Sequence, residues 1–209
     1  LPNPVRRGAR RRKVRRFTTG LVLAAGGSSR LGRPKQLLEF HGRTLLDATL
    51  DMARGCNFDQ LIVALGGAGD DVRSTVDLSG CDVVDNVHYT TGCSSSIVAA
   101  LASIDRRSEA LVLLLGDQPG VEPESVDTLR ATAESGDAAL AVCRYDNGRG
   151  HPFWFARSTF TDLAGLHGDK AVWKLLESGR YAVTEAAIDG PVPIDVDTWA
   201  DYERLLEST

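Results

Sequence analysis

Two cations and a cluster of glycines and serines follow the first apolar segment of the chain. The segment reads LVLAAGGSSRLGRPKQLL over residues 21–38, and its cations are Arg30 and Lys35. Glycines let backbone N–H groups approach a phosphate closely, and a helix that begins after such a loop points its positive end at the anion. We therefore interpret the segment as a strand, an anion-binding loop and the start of a helix. A plain glycine-rich connection with two solvated cations is the alternative.

The spacing differs from the two common phosphate-binding motifs. In a P-loop the lysine follows a glycine and precedes Ser or Thr, whereas Lys35 stands between Pro34 and Gln36. The dinucleotide motif needs G-x-G-x-x-G, whereas this loop has glycines at 26, 27 and 32. The sequence thus predicts an anion-binding loop of a third kind.

Aspartates near two other predicted strands are candidates for binding a metal ion. Asp117 directly follows the apolar run ALVLLL at 110–115, and Mg²⁺ is usually held by one or two carboxylates plus substrate phosphates. A turn aspartate that caps the next helix is the alternative. Asp195 and Asp197 lie two apart in PIDVDTW, hence on one face of a strand. We assign Asp195 to the metal and Asp197 to the N-cap of the last helix.

Apolar runs and helical patterns alternate along the chain and must position these residues. The predicted strands are 19–24, 60–65, 81–84, 110–115, 138–144, 153–156, 181–187 and 193–196. The predicted helices are 44–55, 95–104, 123–134, 158–165, 169–178 and 198–207, with one more after GGAGDD that Asp70 or Asp71 caps. This order predicts an α/β fold: a doubly wound, mostly parallel sheet with helices on both faces in a single domain. Ligands bind such sheets at the carboxyl ends of the strands, where the candidate loops lie.

Charge is distributed unevenly along the 209 residues. Residues 1–16 contain eight of the 24 lysines and arginines and none of the 28 acidic residues, so the remainder carries a formal net charge of −12. An acidic body disfavours nucleic-acid binding. We predict that residues 1–18 form a basic, disordered tail and that residues 19–209 form the domain.

Other features of the composition indicate where the protein resides. The apolar runs are too short to span a bilayer, and no apolar export segment follows the basic head. The cysteines, which contain no C-x-x-C pair, are Cys56, Cys81, Cys93 and Cys143. We therefore expect reduced thiols and a cytoplasmic location without a membrane partner.

The loop and Asp117 together resemble the MobA-like nucleotidyltransferase family, and within it the molybdenum cofactor cytidylyltransferases. The family pattern L-A-A-G-x-S-x-R-x-G-x-x-K is matched by Leu23, Ala24, Ala25, Gly26, Ser28, Arg30, Gly32 and Lys35. The blocks DNVHYTTGCSSS, GDQP, GRGHP and PIDVDTWADYERL follow in the family's order. The resemblance therefore covers about residues 20–207.

The resemblance implies transfer of CMP from CTP to molybdopterin, with release of pyrophosphate and with Mg²⁺ as cofactor. It implies that Arg30, Lys35 and Asp117 are catalytic and that Asp117 and Asp195 hold the metal. The Ala-Ala-Gly sequence at 24–26 favours CTP over GTP, and a molybdenum hydroxylase is the implied partner enzyme. Two alternatives stay open: a nucleotidyltransferase acting on a sugar phosphate or another phosphorylated small molecule, and a non-catalytic nucleotide-binding maturation factor.

The resemblance also implies residues that bind the two substrates. The nucleotide contacts would be Leu23, Ala24, Ala25, Gly26, Gly27, Ser28, Ser29, Gly66, Gly67, Asn86, Gly92, Ser94 and Ser95. The serines after Gly92 suit a helix N-cap equally well. Acceptor contacts would be Gly150, His151 and Pro152, although a histidine that merely orders the turn is the alternative.

The sequence also departs from the family pattern at two places near the candidate site. Cys93 stands where methionine is usual, and the sequence after Gly168, Asp169 and Lys170 lacks the Gly-Ala-Arg of many relatives. The second departure points to a different acceptor or to other cations on its phosphate.

Overall fold

Strands and helices alternate through residues 15–208, the part of the chain that the computed structural model describes. The strands are β1 (Thr18–Ala24), β2 (Glu39–Phe40), β3 (Arg43–Thr44), β4 (Gln60–Leu65), β5 (Asp82–Asp85), β6 (Ala110–Leu115), β7 (Leu140–Tyr145), β8 (Gly148–Ala156) and β9 (Val183–Ala187). The α-helices are α1 (Leu45–Gly55), α2 (Gly69–Thr75), α3 (Cys93–Leu101), α4 (Pro123–Gly136), α5 (Phe160–Ala164), α6 (Ala171–Glu177) and α7 (Trp199–Glu207). The predicted bounds of β4 and β6 are confirmed.

Seven of these strands form one sheet in the order β5-β4-β1-β6-β8-β7-β9. β8 runs antiparallel to both β6 and β7, and the other neighbouring pairs are parallel. The chain winds from β1 outward to β4 and β5 and then returns to the opposite side of β1 as β6. This reversal between β1 and β6 is where ligands bind in sheets of this type. The predicted doubly wound, mostly parallel sheet is confirmed.

Apolar side chains pack on both faces of the sheet. On one face, Leu50 of α1 and Leu129 of α4 pack in one cluster with Trp154. On the other, Ile97 of α3 and Leu175 of α6 pack in a second cluster. Neighbouring residues of a strand point to opposite faces, and the second cluster accordingly also contains the residues on either side of Trp154. Helices therefore cover both faces, as predicted.

Three predicted elements are wrong in position. The segment 193–196 is not a strand, since its alternating pattern finds no neighbouring strand with which to pair. The strand predicted at 153–156 starts earlier, since β8 already begins at Gly148. The loop after β1 does not lead into an α-helix, because a single 3₁₀ turn, Lys35–Leu37, is followed by the β2–β3 hairpin.

Two predicted helix caps are also wrong. Asp70 and Asp71 lie inside the first turn of α2, whose N-terminus has no side-chain cap. Thr198, not Asp197, caps α7, and its hydroxyl accepts a hydrogen bond from the backbone N–H of Asp201 at 3.2 Å. Asp197 is therefore free to act elsewhere.

The basic head lies largely outside the described residues. The prediction of a disordered tail covers residues 1–18, of which residues 1–14 are not described and Thr18 belongs to β1. Arg15 forms an ion pair with Asp59, and Arg16 with Asp137. Of the helices described in residues 15–208, none is long and apolar enough to cross a membrane.

Candidate active site

A cavity of about 820 Å³ opens where β1 and β6 end, at the reversal point of the sheet. Predicted site residues that line it are Leu23, Ala24, Ala25, Gly26, Gly27, Ser28, Ser29, Arg30, Lys35, Gly92, Asp117, His151 and Asp195. The structure thus brings the loop, both cations and both predicted metal-binding aspartates to one cavity.

The loop after β1 is held in shape by two polar side chains. Ser28 adopts a positive φ of 51°, and its Oγ accepts a hydrogen bond from the backbone N–H of Lys35 at 2.9 Å. Gln36 is buried, and its amide donates to the carbonyl oxygens of Ala24 at 2.6 Å and Gly26 at 3.1 Å. Gln36 therefore positions the loop, a role that the sequence analysis missed.

Lys35 connects two carboxylates at the centre of the cavity. Its ammonium contacts Asp117 and donates to Asp197 Oδ1 at 2.9 Å. Arg30 donates to the other oxygen of Asp197 at 3.2 Å. Burial alone would lower the pKa of Lys35, but the two carboxylates raise it above its ordinary value. Lys35 is therefore a charged ammonium at neutral pH.

Asp117 and Asp195, the two predicted metal ligands, are suited to a hard cation. Asp117 is 7% exposed, and burial, together with the charge of Asp195, raises its pKa, while Lys35 opposes that rise. Within residues 15–208, no group of three or more His, Cys, Asp or Glu side chains is placed to hold a metal. The donor set therefore fits a cation that takes its other ligands from substrate phosphates and water.

The glycine turn after β4 lies beside a second cavity of about 330 Å³. Gly67 and Tyr89 line this cavity together with the loop after β1. A Cβ atom on Gly67 would lie 2.7 Å from the Tyr89 ring, and one on Gly66 would lie 2.4 Å from the carbonyl oxygen of Ala25. Gly66 lines neither cavity, so its position reflects close packing against the loop.

Asn86 and two of the predicted serines lie behind the cavity wall. Asn86 is buried, and its amide donates to Ser95 Oγ at 2.7 Å and Ser96 Oγ at 2.9 Å. Ser94 is also buried and does not line the cavity, whereas Ser96 does. Asn86 thus fastens the preceding turn to α3, and no side chain caps this helix.

The far side of the cavity is aromatic. The rings of His151 and Phe153 lie 4.0 Å apart, and Trp173 packs edge-on against Phe153 at 5.1 Å. Burial lowers the pKa of His151 to about 3, so its ring is neutral. Gly150 and Pro152 do not line the cavity, and a Cβ on Gly150 would meet Val192 at 2.8 Å.

The sequence predicted no role in the site for several residues that line the cavity. Those with polar or aromatic side chains include Gln36, Tyr89, Asp169, Lys170, Trp173 and Asp197. The only sequence feature that pointed to α6 was the absence of Gly-Ala-Arg after Lys170. It indicated a difference from many relatives but did not identify a cavity residue.

The fold and the cavity define a nucleotidyltransferase-type α/β protein, with a glycine- and serine-rich loop, two cations and a strand-end aspartate at the reversal point of the sheet. Residues 20–184 match the MobA-like NTP transferase domain, and the chain belongs to this family.

Three similar proteins span most of the chain. The "Nicotine blue oxidoreductase" of Paenarthrobacter nicotinovorans is 33% identical over 198 residues, covering 90% of this chain and 96% of that protein. The "Probable molybdenum cofactor guanylyltransferase" of Pyrococcus horikoshii is 28% identical, with 76% and 79% covered. The crystal structure of Rv0371c from Mycobacterium tuberculosis in complex with manganese is 52% identical, covers 92% of this chain and 100% of that one, and superposes with a TM-score of 0.82.

Proposed function

We propose that the protein is a CTP:molybdopterin cytidylyltransferase that depends on Mg²⁺. The observation that carries this proposal is the contact of Lys35 with Asp117 beside the loop, at the reversal point of the sheet. The groups that would bind phosphate and metal therefore lie within reach of one another. A transfer reaction on a nucleotide needs this combination.

The loop and its cations would hold the triphosphate. Arg30 and Lys35 would offset the negative charge that develops on the α-phosphoryl oxygens and on the leaving pyrophosphate. Backbone N–H groups from Gly26 to Ser29 would donate to the same anion. Asp197 accepts hydrogen bonds from both cations. The triphosphate would replace it as their counter-ion.

Asp117 and Asp195 would hold Mg²⁺, which would neutralise phosphate charge while bound to the nucleotide. A divalent cation is supported by the manganese complex of Rv0371c. The two carboxylates supply part of a coordination shell, as Mg²⁺ sites on nucleotides commonly do.

The acceptor reaction needs no general base. A phosphate oxygen of molybdopterin would form a bond to the α-phosphorus of CTP, and the bond from that phosphorus to the β-phosphate oxygen would break. The attacking phosphate is ionised at neutral pH, since its second pKa is about 6. A neutral His151 is compatible with this chemistry because no proton has to be removed from the nucleophile.

The choice of CTP and of a molybdenum cofactor as substrates rests on similarity. The Ala-Ala-Gly sequence at 24–26 favours CTP, and the name of the relative from Pyrococcus horikoshii supports a molybdenum cofactor acceptor, with a guanylyl group in that protein. Delivery of the product to a molybdenum hydroxylase in the cytoplasm belongs to the same proposal.

Pyrophosphate release tests the proposal directly. The purified protein is incubated with CTP, GTP or ATP and Mg²⁺, with and without molybdopterin. We expect release from CTP only when molybdopterin is present. Release from GTP alone among the nucleotides would overturn the base assignment. Release with a sugar phosphate in place of molybdopterin would support the alternative transferase, and CTP binding without release under any condition would support a maturation factor.

A further inference from the structure

The strand order divides the cavity into two halves around Asp117. The carboxyl ends of β4 and β1, with the loop that carries Lys35, lie on one side of β6, and β8 lies on the other. Because β8 is antiparallel, its beginning at Gly148 lies near the end of β6, so His151 belongs to the far half. Nucleotide phosphates on the loop side leave the β8 side for the second substrate.

Among the described residues, the far half contains a cation that has no carboxylate partner. Three cations line the cavity: Arg30, Lys35 and Lys170. The first two bind Asp197, whereas within residues 15–208 the Lys170 ammonium forms no hydrogen bond or ion pair. Its charge is therefore available to an anionic group on a bound molecule.

Lys170 is held beside the cavity by contacts between two loops. The backbone N–H of Cys93 donates to Asp169 Oδ1 at 3.0 Å, and the Cys93 thiol donates to the Asp169 carbonyl oxygen at 2.9 Å. Gly92, with φ of 113°, approaches this segment so closely that a Cβ would lie 2.7 Å from Gly168. The segment that carries Lys170 is thus anchored to the start of α3.

Apolar and aromatic side chains line the cavity on the β8 side, where Trp173 lies three residues after Lys170. Phe153, Val172 and Trp173 line it, and the ring of His151 stacks on Phe153 at 4.0 Å. Burial keeps the His151 ring neutral by lowering its pKa. Aromatic side chains gain most from contact with flat rings, whereas Phe153, Val172 and Trp173 offer the hydroxyls of a sugar only the indole N–H.

We infer that Lys170 and Trp173 form the acceptor site and select a flat heteroaromatic compound that carries an anionic group. This inference rests on the proposed function and narrows it, because a pterin phosphate belongs to this class and a sugar phosphate does not. Lys170 would bind the anionic group, in place of the arginine that the sequence lacks. Trp173 would pack against the ring.

Tryptophan fluorescence tests the site without any turnover. The probe is pterin-6-carboxylate, a flat heteroaromatic anion whose absorption overlaps tryptophan emission. The chain contains three tryptophans, of which Trp154 is fully buried and Trp199 is 43% exposed on α7. We expect saturable quenching in the wild type and in Trp199→Phe, and clearly weaker quenching in Trp173→Phe, where energy transfer from Trp154 to the probe remains. Equal quenching in Trp173→Phe would overturn the assignment of this residue.

The same titration measures the contribution of Lys170. We expect Lys170→Ala to weaken probe binding about tenfold or more, as loss of a charged hydrogen-bond donor predicts. Lys170→Arg should restore most of the affinity. The matched control is Lys174→Ala, one turn further along α6 and absent from the cavity lining. Unchanged affinity in Lys170→Ala, or displacement of the probe by glucose 1-phosphate as effective as by unsubstituted pterin, would overturn the inference.

The transferase proposal and the inference about the acceptor site can fail separately, and the experiments distinguish the two failures. If the wild type binds the probe through Trp173 yet releases no pyrophosphate with any nucleotide and molybdopterin, the transferase proposal fails and the ligand class stands. If the wild type releases pyrophosphate and Lys170→Ala leaves the KM for molybdopterin unchanged, the inference fails and the transferase proposal stands.

Discussion

The ammonium of Lys35 lies 2.9 Å from Asp197 Oδ1, although 162 residues separate the two in the chain. The same ammonium contacts Asp117, and Arg30 donates to the second oxygen of Asp197. In the proposed reaction, a metal ion and a triphosphate would replace these contacts, because the proposal assigns Asp117 and both cations to them. Asp197 therefore takes, toward both cations, the electrostatic role that substrate phosphates would take in the proposed reaction.

Replacement of Lys35 by alanine should reduce catalysis far more than it affects folding. We expect Lys35→Ala to lower kcat for pyrophosphate release by about 10²–10³, the usual loss when one group that stabilises a charged transition state is removed. The exposed Lys174→Ala serves as control, and circular dichroism checks the fold of both variants. Wild-type kinetics in Lys35→Ala would contradict the proposed role.

The two proposed metal ligands should respond differently from Asp197. We expect Asp117→Asn and Asp195→Asn to weaken Mn²⁺ binding in the presence of CTP, and Asp117→Asn to lower turnover by about 10²–10³. The free Mn²⁺ signal in electron paramagnetic resonance measures this binding. Asp197→Asn should retain Mn²⁺ binding, since its partners are cations. Equal loss of Mn²⁺ in all three variants would place Asp197 among the metal ligands.

Sequence patterns predicted the parts of the molecule that depend on residues close together in the chain. The continuous apolar run of β6 identified a central strand, and the glycines, serines and cations after β1 identified the loop. Asp197 was misassigned because its role depends on the contact with Arg30, and only the folded chain brings residue 197 beside residue 30. Lys170 and Trp173 reach the cavity only through the packing of α6, which no local pattern reports. Long-range contacts, not element types, therefore account for most of what was missed.

The ion pairs of Asp197 should make stability depend on pH. Partial burial raises the pKa of Asp197. Lys35 and Arg30 together lower it by more than burial raises it, so the pKa lies below its ordinary value. A depressed carboxyl pKa contributes stability that is present above the ordinary value of about 3.9 and is lost as the pH falls through the folded-state value. The wild type should have a larger free energy of unfolding than Asp197→Asn near neutral pH. This difference should shrink as the pH falls below about 4.

Urea unfolding at several pH values measures that difference. Asp189→Asn is the matched control, because Asp189 is exposed and, in the described part of the chain, has no charged partner. A wild-type advantage over Asp197→Asn that stays constant, or grows as the solution is acidified, would show that the ion pairs do not stabilise the fold.

Removal of the Cys93 thiol should affect the acceptor more than the nucleotide. The thiol donates to the carbonyl oxygen of Asp169 at 2.9 Å, next to Lys170. We expect Cys93→Ala to raise the KM for molybdopterin about threefold to tenfold, the effect of one hydrogen bond, with the KM for CTP unchanged. Cys93→Ser, which retains a donor, should lie closer to the wild type. A parallel rise in both KM values would show that the contact supports the whole cavity instead.

A methyl group at Gly66 should disturb the loop after β1, whereas the same change at Gly136 should not. A Cβ on Gly66 would lie 2.4 Å from the carbonyl oxygen of Ala25 and 2.9 Å from the Tyr89 side chain, so backbone has to move. We expect Gly66→Ala to lower the free energy of unfolding by about 1–3 kcal/mol and to weaken CTP binding. Gly136 lies in the last turn of α4, and a Cβ there would meet no described atom within 4 Å. Gly136→Ala should therefore raise stability by about 0.4–1 kcal/mol, and urea unfolding that ranks the two variants the other way would contradict the close approach of Gly66 to the loop.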